Sequence, residues 1–105
     1  MARFDIFRNP GKNQLKAPYL LDVQSNVVSG LATRVVIPLR QLTEFSTVAP
    51  PIDLFPIIAV NGADYYLDAP QLGAILAREL KTKVGSALHQ QSEILGALDR
   101  LFGAY

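Results

Sequence analysis

The chain contains one histidine, His89, and no cysteine. A lone imidazole does not make a zinc site, and Ser92 and Glu93 beside it do not form a recognised ligand spacing. Without thiols there is neither a thiolate metal site nor a disulfide framework. A Ser/His/Asp triad is not excluded by composition, yet no nucleophile-elbow glycine pattern accompanies any serine. Neither G-x-x-x-x-G-K nor G-x-G-x-x-G occurs, so no loop is built to cradle a nucleotide phosphate. Asp64 and Asp68 bracket a predicted strand. At roughly 3.3 Å per residue they stand about 13 Å apart, too far to share a proton or a metal. They read as solvated. The expectation is no catalytic residue, no cofactor and no metal, and therefore a protein that works by binding.

The candidates for binding are apolar. Val27 and Val28 lie in a joint of small and polar residues, with Asn26, Ser29 and Gly30 around them. Adjacent valines are unusual in a solvated turn. At the other end, the apolar helix face runs out at Phe102, before a short tail, Gly103-Ala104-Tyr105.

The elements that must position these residues follow from periodicity. Alternation in Phe4 to Phe7, in Tyr19 to Gln24 and in Arg34 to Ile37 predicts three strands. Pro38 has no N–H, so it is expected at the end of its strand or at an edge. Asn9-Pro10-Gly11-Lys12-Asn13 is turn chemistry. Residues 39–44 have room for one helical turn, and Pro50-Pro51 favours an extended connector. Asn61-Gly62 between two apolar runs predicts a type I′ hairpin. Residues 71–80 are ambiguous, since Leu72, Ile75, Leu76 and Leu80 have helical spacing. Thr82, Gly85 and Ser86 read as a break. A helix is predicted over 87–102, with Leu88, Gln91, Leu95, Leu98 and Phe102 on one face and Ile94 and Leu101 beside it. Ser86 is its expected cap and Gly103 its expected stop. Five or six short strands with tight turns suggest a small barrel or sandwich.

One domain fits 105 residues. Half of them are hydrophobic, which hints at a second buried surface such as a subunit interface. The net charge of +1 gives no bulk attraction to nucleic acid. Residues 1–40 carry six Lys or Arg against two Asp, but spread out, and they read as a solvated surface. The N-terminus has charges at positions 3, 5 and 8 and no apolar core, so no signal peptide is expected. The longest apolar run is too short to span a bilayer. A cytoplasmic protein without a membrane partner is expected.

The stretch LDVQSNVVSGLATRVVIPL, residues 21–39, resembles the signature of the CcdB toxins. Arg3-Phe4-Asp5-Ile6-Phe7 is similar to that family's first strand. Val84-Gly85-Ser86 through Ala97-Leu98-Asp99-Arg100-Leu101-Phe102 is similar to its closing helix. The resemblance covers nearly the whole chain as one domain, 1–105. It implies a mainly β fold, a small SH3-like β-barrel with a C-terminal α-helix, assembled as a homodimer. It makes part of 71–80, from Ile75 to Leu80, an extended strand. It implies the toxin of a plasmid-maintenance type of module, which poisons DNA gyrase without being an enzyme, touches no nucleic acid directly, and is neutralised by a CcdA-type antitoxin. Carried over by position, the gyrase-binding residues are Val27, Val28, Asp99, Phe102, Gly103, Ala104 and Tyr105. Gly103 stands where the family has a tail tryptophan that wedges against the gyrase A subunit. Two other readings belong to the same resemblance: a relative that binds an antitoxin but not gyrase, and a ribonuclease toxin on the same fold.

Overall fold

A computed structural model describes residues 1–28, 30–44 and 51–103. Its frame is a curled antiparallel sheet, a half-barrel, with a helix laid against its inner side. The strands are β1 (Asp5–Arg8), β2 (Tyr19–Asp22), β3 (Thr33–Gln41), β4 (Ile57–Val60), β5 (Ala63–Leu67), β6 (Gly73–Leu76) and β7 (Lys83–Ser86). The order is β4-β5-β3-β2-β1-β7, and β6 also pairs with β3. The helix α1 (Gln91–Phe102) follows β7 through a 3-10 turn, Leu88–Gln90. The fold is mainly β with a C-terminal helix, as the sequence implies.

Alternation does not separate inside from outside here. In β2, Leu20, Leu21 and Asp22 are all buried. Around β2 and β3 the sheet is covered on both faces, so these strands bury residues from both sides. Ile6, Leu21, Ile37, Leu39, Ile58 and Leu67 form the main core with Ile94 of α1. On the opposite face, Phe7, Leu20 and Val36 pack with Leu80 and Ile75.

β3 is the long central strand, and it changes partner midway. Thr33 to Val36 pair with β6, and Leu39 to Gln41 pair with β5. Pro38 therefore lies inside the strand, not at its end or at a sheet edge. Its carbonyl accepts from Asp68 N–H on the β5/β6 side. A residue's N–H and C=O point to the same edge, so its missing donor falls in the gap between the two ladders.

The hairpin matches expectation. Asn61 and Gly62 have φ of 52° and 83°, both positive as a type I′ turn requires. A 3-10 turn at Leu42–Glu44 follows β3. The connector at Pro50-Pro51 lies partly outside the described residues.

Other local expectations are corrected. Residues 83–86 are a strand, not a break, because Lys83, Gly85 and Ser86 pair with Phe7, Ile6 and Asp5 across an irregularity that absorbs one residue. The strand expected over Ile75 to Leu80 is shifted. It runs Gly73–Leu76 along β3, and Ala77–Glu79 then makes a 3-10 turn that swings Leu80 under the sheet. The buried helix face is centred on Ile94 and Ala97, with Leu98 and Leu101 half-buried beside them, while Leu88, Gln91 and Phe102 are exposed. α1 begins at Gln91 rather than at 87, and Ser86 does not cap it: Gln90 holds the cap position without a side-chain bond, while Ser86 Oγ accepts from Leu88 N–H at 3.2 Å in the preceding 3-10 turn. Gly103 closes α1 at φ 71°, donating to the Asp99 carbonyl.

Phe4 has φ 72°, a left-handed conformation that a bulky residue rarely adopts. Its N–H donates to the Asp22 carbonyl, and its own carbonyl accepts from Ala87 N–H. The kink thus joins β2 to the start of the helical segment while the ring enters the core.

Candidate target-binding surface

The first candidate segment leaves β2 at Asp22 and returns as β3 at Thr33. A 3-10 turn, Asn26–Val28, carries both valines. Val27 is 93% exposed, Val28 44% and Leu31 56%. An apolar side chain this open in a short turn needs the backbone held by polar contacts, since it contributes no packing of its own.

Those contacts begin inside the protein. Asp22 and Arg34 are fully buried and ion-paired. Arg34 Nε donates to Asp22 Oδ2 at 2.8 Å. Nη2 lies 2.7 Å from the same oxygen, in ion-pair contact but off hydrogen-bonding geometry, and Nη1 has no hydrogen-bond partner among the described residues. Asp22 Oδ1 accepts from the backbone N–H of Gln24 at 3.0 Å. The Gln24 side chain then spans the loop: Nε2 donates to the Val28 carbonyl at 2.9 Å, and Oε1 accepts from Val35 N–H at 3.0 Å. From the other side, Arg3 N–H donates to Asn26 Oδ1 at 2.8 Å, and Arg3 Nε donates to the Val23 carbonyl at 2.9 Å.

The second segment is the end of α1. Asp99 and Phe102 are exposed, Phe102 at 67%, and Gly103 turns the chain out of the helix. Arg100 Nε meets Asp53 Oδ2 at 3.0 Å, with both side chains about half in solvent. The two segments are held by different parts of the molecule, one by Arg3 and β3, the other by the segment around Asp53. Ala104 and Tyr105 lie outside the described residues.

Sequence reasoning singled out Val27, Val28 and Phe102 but missed what supports the turn. Arg34 counts in the sequence as one more surface cation, yet it is the largest fully buried side chain. The available signal was Asp22 and Gln24, polar residues at regular places in an otherwise apolar run. Asp68 is also corrected: it is not merely solvated but paired with Arg40 at 2.7 Å. Beside it, burial pushes the Tyr66 phenol above its ordinary range; Asp68 adds to the rise and Arg40 opposes it.

The chemistry this surface offers is apolar recognition. His89 is exposed on its turn, and no group of three or more His, Asp or Glu able to hold a metal occurs among the described residues. Arg34 is sealed from any ligand. No helix among the described residues is long and apolar enough to cross a membrane.

Fold and surface together define a small half-barrel with a C-terminal helix that displays isolated apolar side chains on polar supports. The CcdB protein family model matches residues 3–103, and the chain belongs to the CcdB family of toxins from toxin–antitoxin modules. A search of curated proteins finds no match. Among solved structures, the chain is similar to an endoribonuclease in complex with its cognate antitoxin from a mycobacterial species. The identity is 20% and the TM-score 0.74, covering 98% of this chain and 95% of that one. At this identity the likeness speaks for the fold.

Proposed function

We infer that this chain is the toxin of a toxin–antitoxin pair and that its target is DNA gyrase. It acts as one domain, in the cytoplasm, as a homodimer. It binds the gyrase A subunit and traps the cleaved gyrase–DNA complex without catalysis of its own, and a CcdA-type antitoxin neutralises it by folding a disordered segment onto the barrel. One observation carries this reading. The two segments that family membership points to as target contacts, around Val27 and Phe102, both expose large apolar side chains on a covered fold. Buried apolar anchors are what protein interfaces draw most of their energy from. The test is DNA cleavage by purified gyrase with and without the protein. Cleaved complex that accumulates only when both are present is expected; its absence overturns the gyrase target and leaves a relative that binds only an antitoxin.

The homodimer is checked by sedimentation equilibrium at micromolar concentration. A species of 11.5 kDa alone overturns it.

The likeness to an endoribonuclease favours a second reading, an RNA-cleaving toxin. Against it, Arg34 is sealed from solvent and the one histidine, His89, stands on an exposed turn with no hydrogen-bond partner among the described residues. Degradation of RNA by the purified protein, lost on changing a single polar residue, decides for this reading.

A further inference from the structure

The Val27-Val28 turn poses a physical problem. Its most exposed member, Val27, buries almost nothing, and neighbouring Val28 and Leu31 are also exposed. Short segments with few buried contacts open easily. Disorder here lowers affinity for any partner, because only the fraction of molecules with the turn in its binding form can dock. Yet the turn is crossed by a side chain that is itself 93% buried: Gln24 is 7% exposed.

Gln24 satisfies three hydrogen bonds that have no other obvious purpose. Its backbone N–H is fixed by Asp22 Oδ1, its Nε2 holds the Val28 carbonyl, and its Oε1 holds Val35 N–H. The two side-chain bonds join opposite ends of the same loop, the turn and the returning strand. Asp22 is in turn locked by Arg34, with both side chains fully buried. A buried ion pair is weak evidence of stability, because desolvation offsets its attraction. It does supply a rigid anchor.

We propose that Gln24 is a positioning residue. It freezes the Val27-Val28 turn so that Val27 stands out for the partner, and the Asp22–Arg34 pair is the fixed point on which it is built. The partner half of this statement rests on the gyrase reading above; the loop half does not.

Amide hydrogen exchange and gyrase binding together test it. In the unaltered protein, the amides of Val28 and Leu31, bonded to the Ser25 and Val28 carbonyls, exchange well below random-coil rates. Random-coil exchange at both amides overturns the proposal with no variant needed. Gln24→Met keeps the length of the side chain and removes both of its bonds. The Val28 and Leu31 amides then exchange at least tenfold faster relative to core amides such as those of Ile6 and Leu21, and affinity for purified gyrase A subunit falls about tenfold. Gln24→Glu keeps an acceptor for Val35 N–H but cannot donate to the Val28 carbonyl when ionised. It loosens the Val28 and Leu31 amides while the Val35 amide stays protected.

If loop and core amides accelerate by the same factor in Gln24→Met, the residue supports the fold generally and positions nothing. Loosening of the loop with unchanged gyrase affinity overturns its role in recognition. If the unaltered protein does not bind gyrase at all while the loop loosens as described, the gyrase reading falls and the loop positioning stands.

Discussion

The two candidate contact segments solve one problem in different ways. The turn at Asn26–Val28 has no regular structure to lend it direction, so a buried polar network holds it from within. The end of α1 inherits its direction from twelve helical residues whose inner face, Ile94 and Ala97, is fully buried. Its stop is the positive-φ Gly103, and the Arg100–Asp53 ion pair beside it is half in water. The lesson is that exposed apolar residues are paid for by order elsewhere, and the source of that order decides how fragile each segment is.

The sharpest break in this comparison is Asp22→Ala. It leaves Arg34 buried without its counter-charge, and removing one partner of a buried pair costs about 3–5 kcal/mol. A urea titration should show a large fall in the midpoint. A loss under 1 kcal/mol would mean that Arg34 is not anchored by this carboxylate.

Next come the displayed side chains themselves. Phe102→Ala and Val27→Ala remove groups that are mostly in solvent, so thermal melting should change little. If both segments meet gyrase, Phe102→Ala should cost about 2 kcal/mol of affinity, the size of an interface anchor, and Val27→Ala less because it removes less area. Isothermal titration with gyrase A subunit measures both. Equal affinities for both variants and the parent would remove these segments from the interface.

Gly103→Ala tests the helix stop. A Cβ built there meets nothing within 4 Å, so only the φ of 71° opposes it. Holding alanine in the left-handed region costs roughly 1–2 kcal/mol, part of which the stiffer unfolded chain offsets. A drop in stability of about 1 kcal/mol is expected; a rise would show that the helix end can unwind without penalty.

The smallest effect belongs to Arg100→Ala. Exposed ion pairs are worth about 0–1 kcal/mol, so melting should barely move, in contrast to Asp22→Ala. A loss comparable to that of Asp22→Ala would erase the distinction between the two supports.

Several parts of this molecule were legible in the chain alone because their causes are local. Asn61-Gly62 specifies its turn through the φ values those two residues accept. Gly103 stops α1 for the same reason. Val27 and Val28 stood out as candidates because small and polar residues surround them. The fold class and the family were carried by long stretches, residues 21–39 above all, where many local preferences agree.

What the chain alone did not determine depends on partners distant in sequence. Gly85 and Ser86 have poor strand propensity, yet they form β7 because the β1 edge at Asp5 to Phe7 lies open to them. Leu80 leaves an apparent strand because a second apolar face, Phe7, Leu20 and Val36, must be covered. Pro38 sits mid-strand only because β3 exchanges β6 for β5 at that place. The helix buries Ile94 and Ala97 rather than the Leu88–Phe102 stripe because the sheet curls around that side. Arg34 goes inside because Asp22, twelve residues earlier, waits two positions along the neighbouring strand to receive it. Charge and hydropathy read along a chain cannot see such a pair: a guanidinium is stable in the interior only once the fold has brought its carboxylate to it.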